Sequence, residues 1–481
     1  MLTDEQKAAV KLGLELEPGE SFIVNAVAGS GKTTLLTSLA GELVARGDNV
    51  IAITFTKMLQ QELADKMPME VDCYTLHKLC LILELVELTD TQQQYLGAMV
   101  AGIKNPYFRY PTKRLVGLAL NSGLGLNIET EEDSLASLFE NSGLQPPKKG
   151  NKDAFLATAD RILTEYTTQD DHICFDLLLW KTAEYLNEKT KAICEIVKRK
   201  IPNNTVVLVD EYQDLNPVQI SILKNLMDIL DLRVIFVGDE KQAIFQFRGA
   251  CSNIQDVIID QFSAIAILDL SVSFRCSGEV LREAIQWNPR MQYREGDGKV
   301  FRVSEIPKEI IDKPITIIAR KNSSLLEQAL TFITAGRSFY YKNEGFFNEV
   351  KNVIKEYDLN KWTAVRVLED LKRLSEEKTI EHHDNPSIIK YWCDVYDSAS
   401  VCVKYLYEHN MPFEKLNQII KDAEHSKSTC QIMTVHKSKG LEFNTVVLLG
   451  ATELYAANTE EEINLVYVAI TRTIKCLYLV N

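Results

Sequence analysis

The chain has 481 residues, 46% hydrophobic and 25% charged, an ordinary balance for a folded globular protein with nothing that composition marks as disordered. One core does not serve a chain of this length, and about two to four domains are expected. Lys and Arg number 53 against 67 Asp and Glu, a net charge of -14, which argues against a general basic coat for duplex DNA but leaves room for a narrow, locally basic channel.

The 10 cysteines are scattered from Cys73 to Cys476 without a CxxC pair, and read as reduced, mostly buried thiols of a cytosolic protein. His382, His383, Cys393 and Cys402 fall in one segment, but their spacing fits no familiar metal site, and a solvated or core role is the better reading. The start, MLTDEQK, has no basic region followed by an apolar one, and no apolar run approaches the roughly 20 residues of a spanning helix. The expectation is a soluble, cytoplasmic protein with no membrane partner.

Thr3 or Asp4 is placed to cap a short helix running through Lys11. The stretch 21–34, SFIVNAVAGSGKTT, is an apolar strand feeding a small-residue loop. Gly29 and Gly31 let backbone N–H groups close around a phosphate chain, and the helix beginning near Lys32 points its positive end at the same charge. Lys32 would reach the β and γ phosphates and Thr33 would ligate Mg²⁺, although Ala26 stands where the GxxxxGK[ST] pattern has its first Gly. A helix over 33–46 stops at Gly47, and 49–54 is the next strand, so a βαβ unit and a parallel sheet covered by helices are predicted. That strand ends in Thr54 to Lys57, and another, 71–74, precedes Thr75-Leu76-His77. Such strand ends face the ligand crevice of an open α/β sheet.

From about 79 to 200 the apolar spacing is helical, broken near Pro106, Pro111 and the QPPKKGNK stretch at 145–152, and reads as a helical insertion. Its basic residues, Lys104, Arg109, Lys113, Arg114, Lys148 and Lys149, are solvated surface by default, with phosphate-backbone contact as the alternative. The run 206–209, VVLV, delivers Asp210 and Glu211. Two carboxylates at a strand end suit Mg²⁺-dependent hydrolysis of a nucleoside triphosphate, one for the metal and one to orient the attacking water; a solvated turn or helix cap is the competing reading. Strand 233–237 ends in Gly238 to Gln242, followed by Phe245 and Phe247 beside Arg248. Those rings can stack on bases, though paired Phe residues are more often core. Strand 265–270 leads to Ser273, Phe274 and Arg275, and a lone Arg after a strand is usually surface.

A second α/β block follows: strand 314–319, helix 322–335, and 337–342 as a turn into a helix around 346–357. Residues 361–423 are helical and carry no recognisable chemistry. The block resumes with a strand at 429–435, the HKSKGLEF stretch at 436–443, a strand at 445–449, a helix at 460–470 ending in Thr471-Arg472, and a last strand at 476–480.

In order, these stretches resemble the UvrD/Rep-type superfamily 1A DNA helicases from residue 2 to residue 480. Gln6 matches the adenine-reading Gln; AVAGSGKTT motif I; ITFTK and YTLHKL motifs Ia and Ib; VDEYQDLNPVQ motif II; VGDEKQAIFQFRGA motif III; LSVSFRCS motif IV; MTVHKSKGLEFNTVVLLG motif V; and VYVAITR motif VI. The phrasing of TLHKL, SFRCSGEV and KSKGLEF is similar to the F-box DNA helicase branch, without an F-box. The resemblance implies an α/β fold of two RecA-like P-loop domains with helical insertions: 1A at 1–80 and 201–272, 1B at 81–200, 2A at 273–354 and 429–481, and a small 2B at 355–428.

The resemblance also implies ATP and Mg²⁺ as cofactors, a loop of Ala28, Gly29, Ser30, Gly31, Lys32, Thr33 and Thr34 around the phosphates, and Thr33 and Asp210 on the metal. Glu211 becomes the base, Gln242 the γ-phosphate sensor, Arg275 and Arg472 arginine fingers, Phe274 the adenine-packing ring and Glu442 the ribose partner. Phe245 and Phe247 become base-stacking residues, reversing the packing reading, and Phe55, Thr75, His77, Thr434 and His436 line the DNA path. The expected activity is ATP-driven 3′ to 5′ movement on single-stranded DNA and tailed duplexes, with a replication or repair protein as partner and a role in DNA repair, replication or recombination. The layout suits a phage or mobile-element protein acting in a host cytoplasm. Lys57 stands where many relatives have Asn, and Thr34 where many have an adenine-packing Arg. Relatives carry a strand-separating hairpin after motif VI, where this sequence stops, so translocation, including displacement of bound proteins, is better supported than unwinding.

Overall fold

The chain is described by a computed structural model over residues 2–87, 95–126, 128, 134–142, 144, 151–169, 173, 175–244, 251, 253–342, 345–381, 386–456 and 458–481. It divides into two compact units, Met1–Ser271 and Val272–Asn481.

The N-terminal unit is built on a six-stranded parallel sheet of β1 (Ser21–Ala26), β2 (Val50–Thr54), β3 (Asp72–Thr75), β4 (Val206–Asp210), β5 (Arg233–Gly238) and β6 (Ile267–Leu270), in the order β3-β2-β4-β5-β1-β6. Every residue of β1, β2 and β5 is buried. That is why these strands read as continuous Val/Ile runs: helices cover both faces of a parallel sheet, leaving no polar side to alternate with. Phe22, Val24, Val206, Leu208, Ile235 and Val237 share one core with Leu35, Leu36, Leu39 and Leu43 of helix Lys32–Ala45. Parallel pairing of β4 with β5 and of β5 with β1 sets the ends of all three side by side. The loop after β1 and the acidic end of β4, far apart in sequence, therefore emerge at the same edge. Residues between β3 and β4 are helical in their described parts, as the spacing predicts, and helix Phe175–Glu188 packs on Pro217–Leu230.

The C-terminal unit repeats the class with β7 (Lys299–Val303), β8 (Thr316–Ala319), β9 (Tyr340–Lys342), β10 (Gln431–Thr434), β11 (Phe443–Leu449) and β12 (Thr473–Val480), all parallel, in the order β7-β12-β11-β8-β10-β9. The expected α/β class with two parallel sheets is thus what the chain adopts. The sequence pattern misses β7 and takes β9 for a turn; both are edge strands, and β7 is largely exposed, so neither presents the apolar run of a covered strand. The pattern also misses helix Gly278–Ile285. Helices Ala364–Glu381, Pro386–Glu408 and Phe413–Glu424 contribute Val367, Leu371, Tyr396, Val403, Leu416 and Ile420 to the core that holds Ile317, Leu325, Tyr341 and Ile432, so they share the sheet's core rather than enclosing one of their own. Among the described residues no helix is long and apolar enough to cross a membrane.

Candidate active site

The loop after β1 turns through Gly29 and Gly31, at φ 74° and 81°, a left-handed backbone that side chains with a Cβ adopt only under strain. Gly31 is the N-cap of helix Lys32–Ala45 and offers no side-chain cap to the helix's first N–H groups, which leaves the positive helix end able to receive an anion. The loop is braced from behind by Gln6, which is 3% exposed. Its Nε2 donates to the Ser30 carbonyl at 3.1 Å and the Gly31 carbonyl at 3.4 Å, while its Oε1 accepts from the Thr3 N–H at 3.0 Å. Ala28 and Ser30 are buried, and the Ser30 hydroxyl has no hydrogen-bond partner among the described residues. Thr33 is partly exposed and Thr34 exposed at the start of the helix.

Lys32 Nζ lies 3.2 Å from Glu211 Oε1 and 3.4 Å from Oε2, with both side chains 15% exposed. Burial works against the ammonium charge, but the carboxylates of Glu211, Asp239 and Asp210 outweigh it and raise the lysine's pKa. Asp210 moves in the costly direction: burial and the adjacent Glu211 charge push it up to about 7, against the pull of Lys32. A carboxyl beside a second carboxylate at the end of β4, next to the β1 loop that carries Thr33, is the oxygen-donor chemistry a hard divalent cation takes, so Asp210 and Thr33 would suit the expected Mg²⁺. Glu211 holds a left-handed φ of 55°, a strain of about 1–3 kcal/mol for a residue with a Cβ, and its N–H donates to Asp210 Oδ1 at 3.0 Å. At the end of β5, the Gln242 side chain, 4% exposed, donates to Asp239 Oδ2 at 2.8 Å.

In the C-terminal unit, Arg275 Nε donates to Glu442 Oε2 at 2.8 Å and Nη1 to the Thr471 carbonyl at 3.0 Å; the Glu442 side chain is 55% exposed. Phe274, beside it, is exposed. Arg472 is 1% exposed: Nε donates to the Val468 carbonyl and Nη1 to the Leu441 carbonyl, each at 3.0 Å, and Nη2 to Thr471 Oγ1 at 3.3 Å. The structure thus leaves one expected arginine finger, Arg275, partly exposed and buries the other inside the unit, clamping helix Glu460–Ile470 to the segment before β11. Sequence reasoning missed Arg294, whose Nη2 donates at 3.2 Å to the carbonyls of Phe274 and Cys276 on either side of Arg275. Nothing in the local pattern signals a contact that bridges a loop in this way.

The residues expected on the DNA path fall at strand ends. Thr75 ends β3 and caps helix Leu76–Leu83; Thr434 ends β10 and caps Val435–Ser438. Both hydroxyls accept from the N–H of a lysine three residues on, at 3.3 Å. His77 and His436 thus hold corresponding places, two residues beyond a capping threonine, and both are partly exposed; His77 lies edge-on to Phe175 at 6.2 Å. Phe55 is partly buried just past β2. Phe245 and Phe247 lie outside the described residues. Of the four residues raised as a metal cluster, Cys402 is buried, Cys393 accepts from Ser375 Oγ at 3.4 Å, and His382 and His383 lie outside the described residues.

Residues 2–262 match the UvrD/REP helicase N-terminal domain, and residues 163–481 match the UvrD-like helicase C-terminal domain. A probable DNA helicase II homolog of Mycoplasma pneumoniae is 22% identical over 624 aligned residues, covering 100% of this chain and 84% of that protein. The ATP-dependent DNA helicase Rep of Escherichia coli is 26% identical over 296 residues, 56% of this chain and 43% of that one. Among solved structures, the arterivirus nonstructural protein 10 helicase aligns at 12% identity with a TM-score of 0.36, covering 99% of this chain and 61% of that chain. The domain matches span more than half of the sequence, and the chain belongs to the UvrD/Rep helicase family.

Proposed function

We propose that this chain is an ATP-dependent DNA helicase that moves 3′ to 5′ on single-stranded DNA. The observation that carries the reading is the meeting of Lys32, Asp210, Glu211 and Asp239 at the adjoining ends of β1, β4 and β5. Lys32 moves from Glu211 to the β and γ phosphates when nucleotide enters, with the loop from Ala28 to Thr34 supplying N–H donors. Its departure frees the Glu211 carboxylate to orient and deprotonate the attacking water. Gln242, tied to Asp239, senses the γ-phosphate from the same edge. Mg²⁺ bound by Thr33 and Asp210 would neutralise charge on the phosphates. The family likeness assigns Gln6, Phe274 and Glu442 to the nucleoside, Arg275 and Arg472 to the γ-phosphate, and Phe55, Thr75, His77, Phe245, Phe247, Thr434 and His436 to the strand. It also supplies the polarity, the cytoplasmic setting, a replication or repair partner, and the boundaries 1–80 with 201–272, 81–200, 273–354 with 429–481, and 355–428.

The test is ATP hydrolysis with and without single-stranded DNA, beside unwinding of duplexes with 3′ or 5′ tails. DNA-stimulated hydrolysis lost in Lys32→Ala, together with unwinding from the 3′ tail, is the expected result; hydrolysis that survives the substitution overturns the site. A second reading, a translocase that displaces bound proteins and unwinds little, rests on the small size of the 2B segment assigned to 355–428. Stimulated hydrolysis without unwinding selects it.

A further inference from the structure

We propose that Gln213 is a positioning residue that aims the Glu211 carboxylate and ties it to the γ-phosphate side of the site. The inference rests on the hydrolytic reading above. Gln213 lies in the short 3-10 turn Tyr212–Asp214 and is fully buried, 0% exposed. A buried primary amide is tolerated only where its donor and acceptor ends are both answered. Here the two ends answer to different strands. Nε2 donates to Glu211 Oε2, at the end of β4. Oε1 accepts from the Asp239 N–H at 3.0 Å, at the end of β5. Asp239 in turn accepts from Gln242. One amide thus spans the line from Glu211 to Gln242.

Two further observations show that the site is built around this amide. A Cβ on Gly238, the last residue of β5, would lie 2.2 Å from Gln213 Oε1 and 2.7 Å from Tyr212 Cδ1, so only glycine lets the turn approach the strand. Glu211 also holds its left-handed backbone directly before the turn, a conformation that persists only when its surroundings over-determine it. Lys32 contacts the same carboxylate, but that contact is broken when the lysine moves to phosphate. The Gln213 bond does not depend on the lysine and continues to hold Glu211. Held by Gln213 at Oε2, the carboxylate presents Oε1 to the water. Strain alone would fix only the backbone; the amide fixes the side chain.

The experiment uses the full chain with single-stranded DNA and compares Gln213→Met and Gln213→Glu with wild type. Met keeps the shape and removes both hydrogen bonds. Glu keeps an oxygen for the Asp239 N–H and removes the donor to Glu211. If Gln213 aims Glu211, kcat falls in both variants by about 10- to 100-fold, the size of a lost hydrogen bond to a charged group, while KM and fluorescent-nucleotide affinity hold. A further cycle adds Gln213→Met to Glu211→Gln in single-turnover hydrolysis, where it should cost little more. A kcat near wild type in Gln213→Glu, a loss spread equally over KM and affinity, or full additivity in the cycle each overturns the inference. A wild-type chain with no Lys32-dependent hydrolysis would instead remove the hydrolytic reading itself, so the two failures are distinguishable. Thermal unfolding of each variant separates a misfolded chain from a misaimed carboxylate.

Discussion

Arg472 is the residue for which sequence and structure suggest different work, and Arg472→Ala separates them. The likeness makes it a catalytic finger; the geometry makes it an internal clamp, 1% exposed, with Nε and Nη1 on the carbonyls of Val468 and Leu441. Hydrogen bonds to charged groups are worth about 1.5–3 kcal/mol each, so losing these two costs roughly 3–6 kcal/mol before relaxation. In a unit of this size each kcal/mol moves the midpoint by about 2–4 °C, which puts the fall between roughly 6 and 24 °C. Arg275→Ala is the control. Its pair with Glu442 is open to solvent on the acid's side and contributes up to about 1 kcal/mol, and its one bond to the Thr471 carbonyl adds about 1.5–3 kcal/mol, so its fall should be the smaller of the two. Arg472→Lys keeps the charge but not the planar fork that reaches two carbonyls, and is expected to melt nearer to Ala than to wild type. The assay is calorimetry of the full chain beside DNA-stimulated hydrolysis. A normal melt with abolished hydrolysis in Arg472→Ala would refute the clamp argument and leave the finger.

Gly238→Ala forces a Cβ against Gln213 and Tyr212, and overpacking of this kind costs about 1–3 kcal/mol; the expected result is a lowered melting point together with reduced kcat. Thr75→Ala and Thr434→Ala each remove a cap whose hydroxyl accepts a backbone N–H, worth about 1 kcal/mol by thermal unfolding; an added loss of single-strand affinity tests their place on the DNA path. Burial pushes the Cys80 thiol up to about 12 and raises those of Cys276 and Cys402, so these three should resist a thiol reagent at neutral pH until the chain unfolds, whereas the partly exposed Cys194 and Cys393 should react first.

What the sequence determined by itself follows from local rules. Buried parallel strands need continuous apolar runs, so β1, β2, β4, β5, β8 and β11 are legible, as is helix Glu460–Ile470 with its threonine cap. Gly31 before Lys32 announces a helix end open to an anion, because glycine takes the left-handed turn there and brings no side chain to cap the first N–H groups. Edge strands β7 and β9 escaped because an exposed edge is not obliged to be apolar.

Only the tertiary structure decided what depends on strand order and burial. That Asp239 joins Lys32, Asp210 and Glu211 follows from β5 lying between β4 and β1, which no local pattern specifies. That Gln213 reaches the Asp239 N–H, that Arg294 brackets Arg275, and that Arg472 reaches the Leu441 carbonyl are contacts between segments separated in sequence. Residue type tells what a side chain is able to donate or accept. The fold alone supplies the partner, because a hydrogen bond is decided by tenths of an ångström that sequence spacing does not carry.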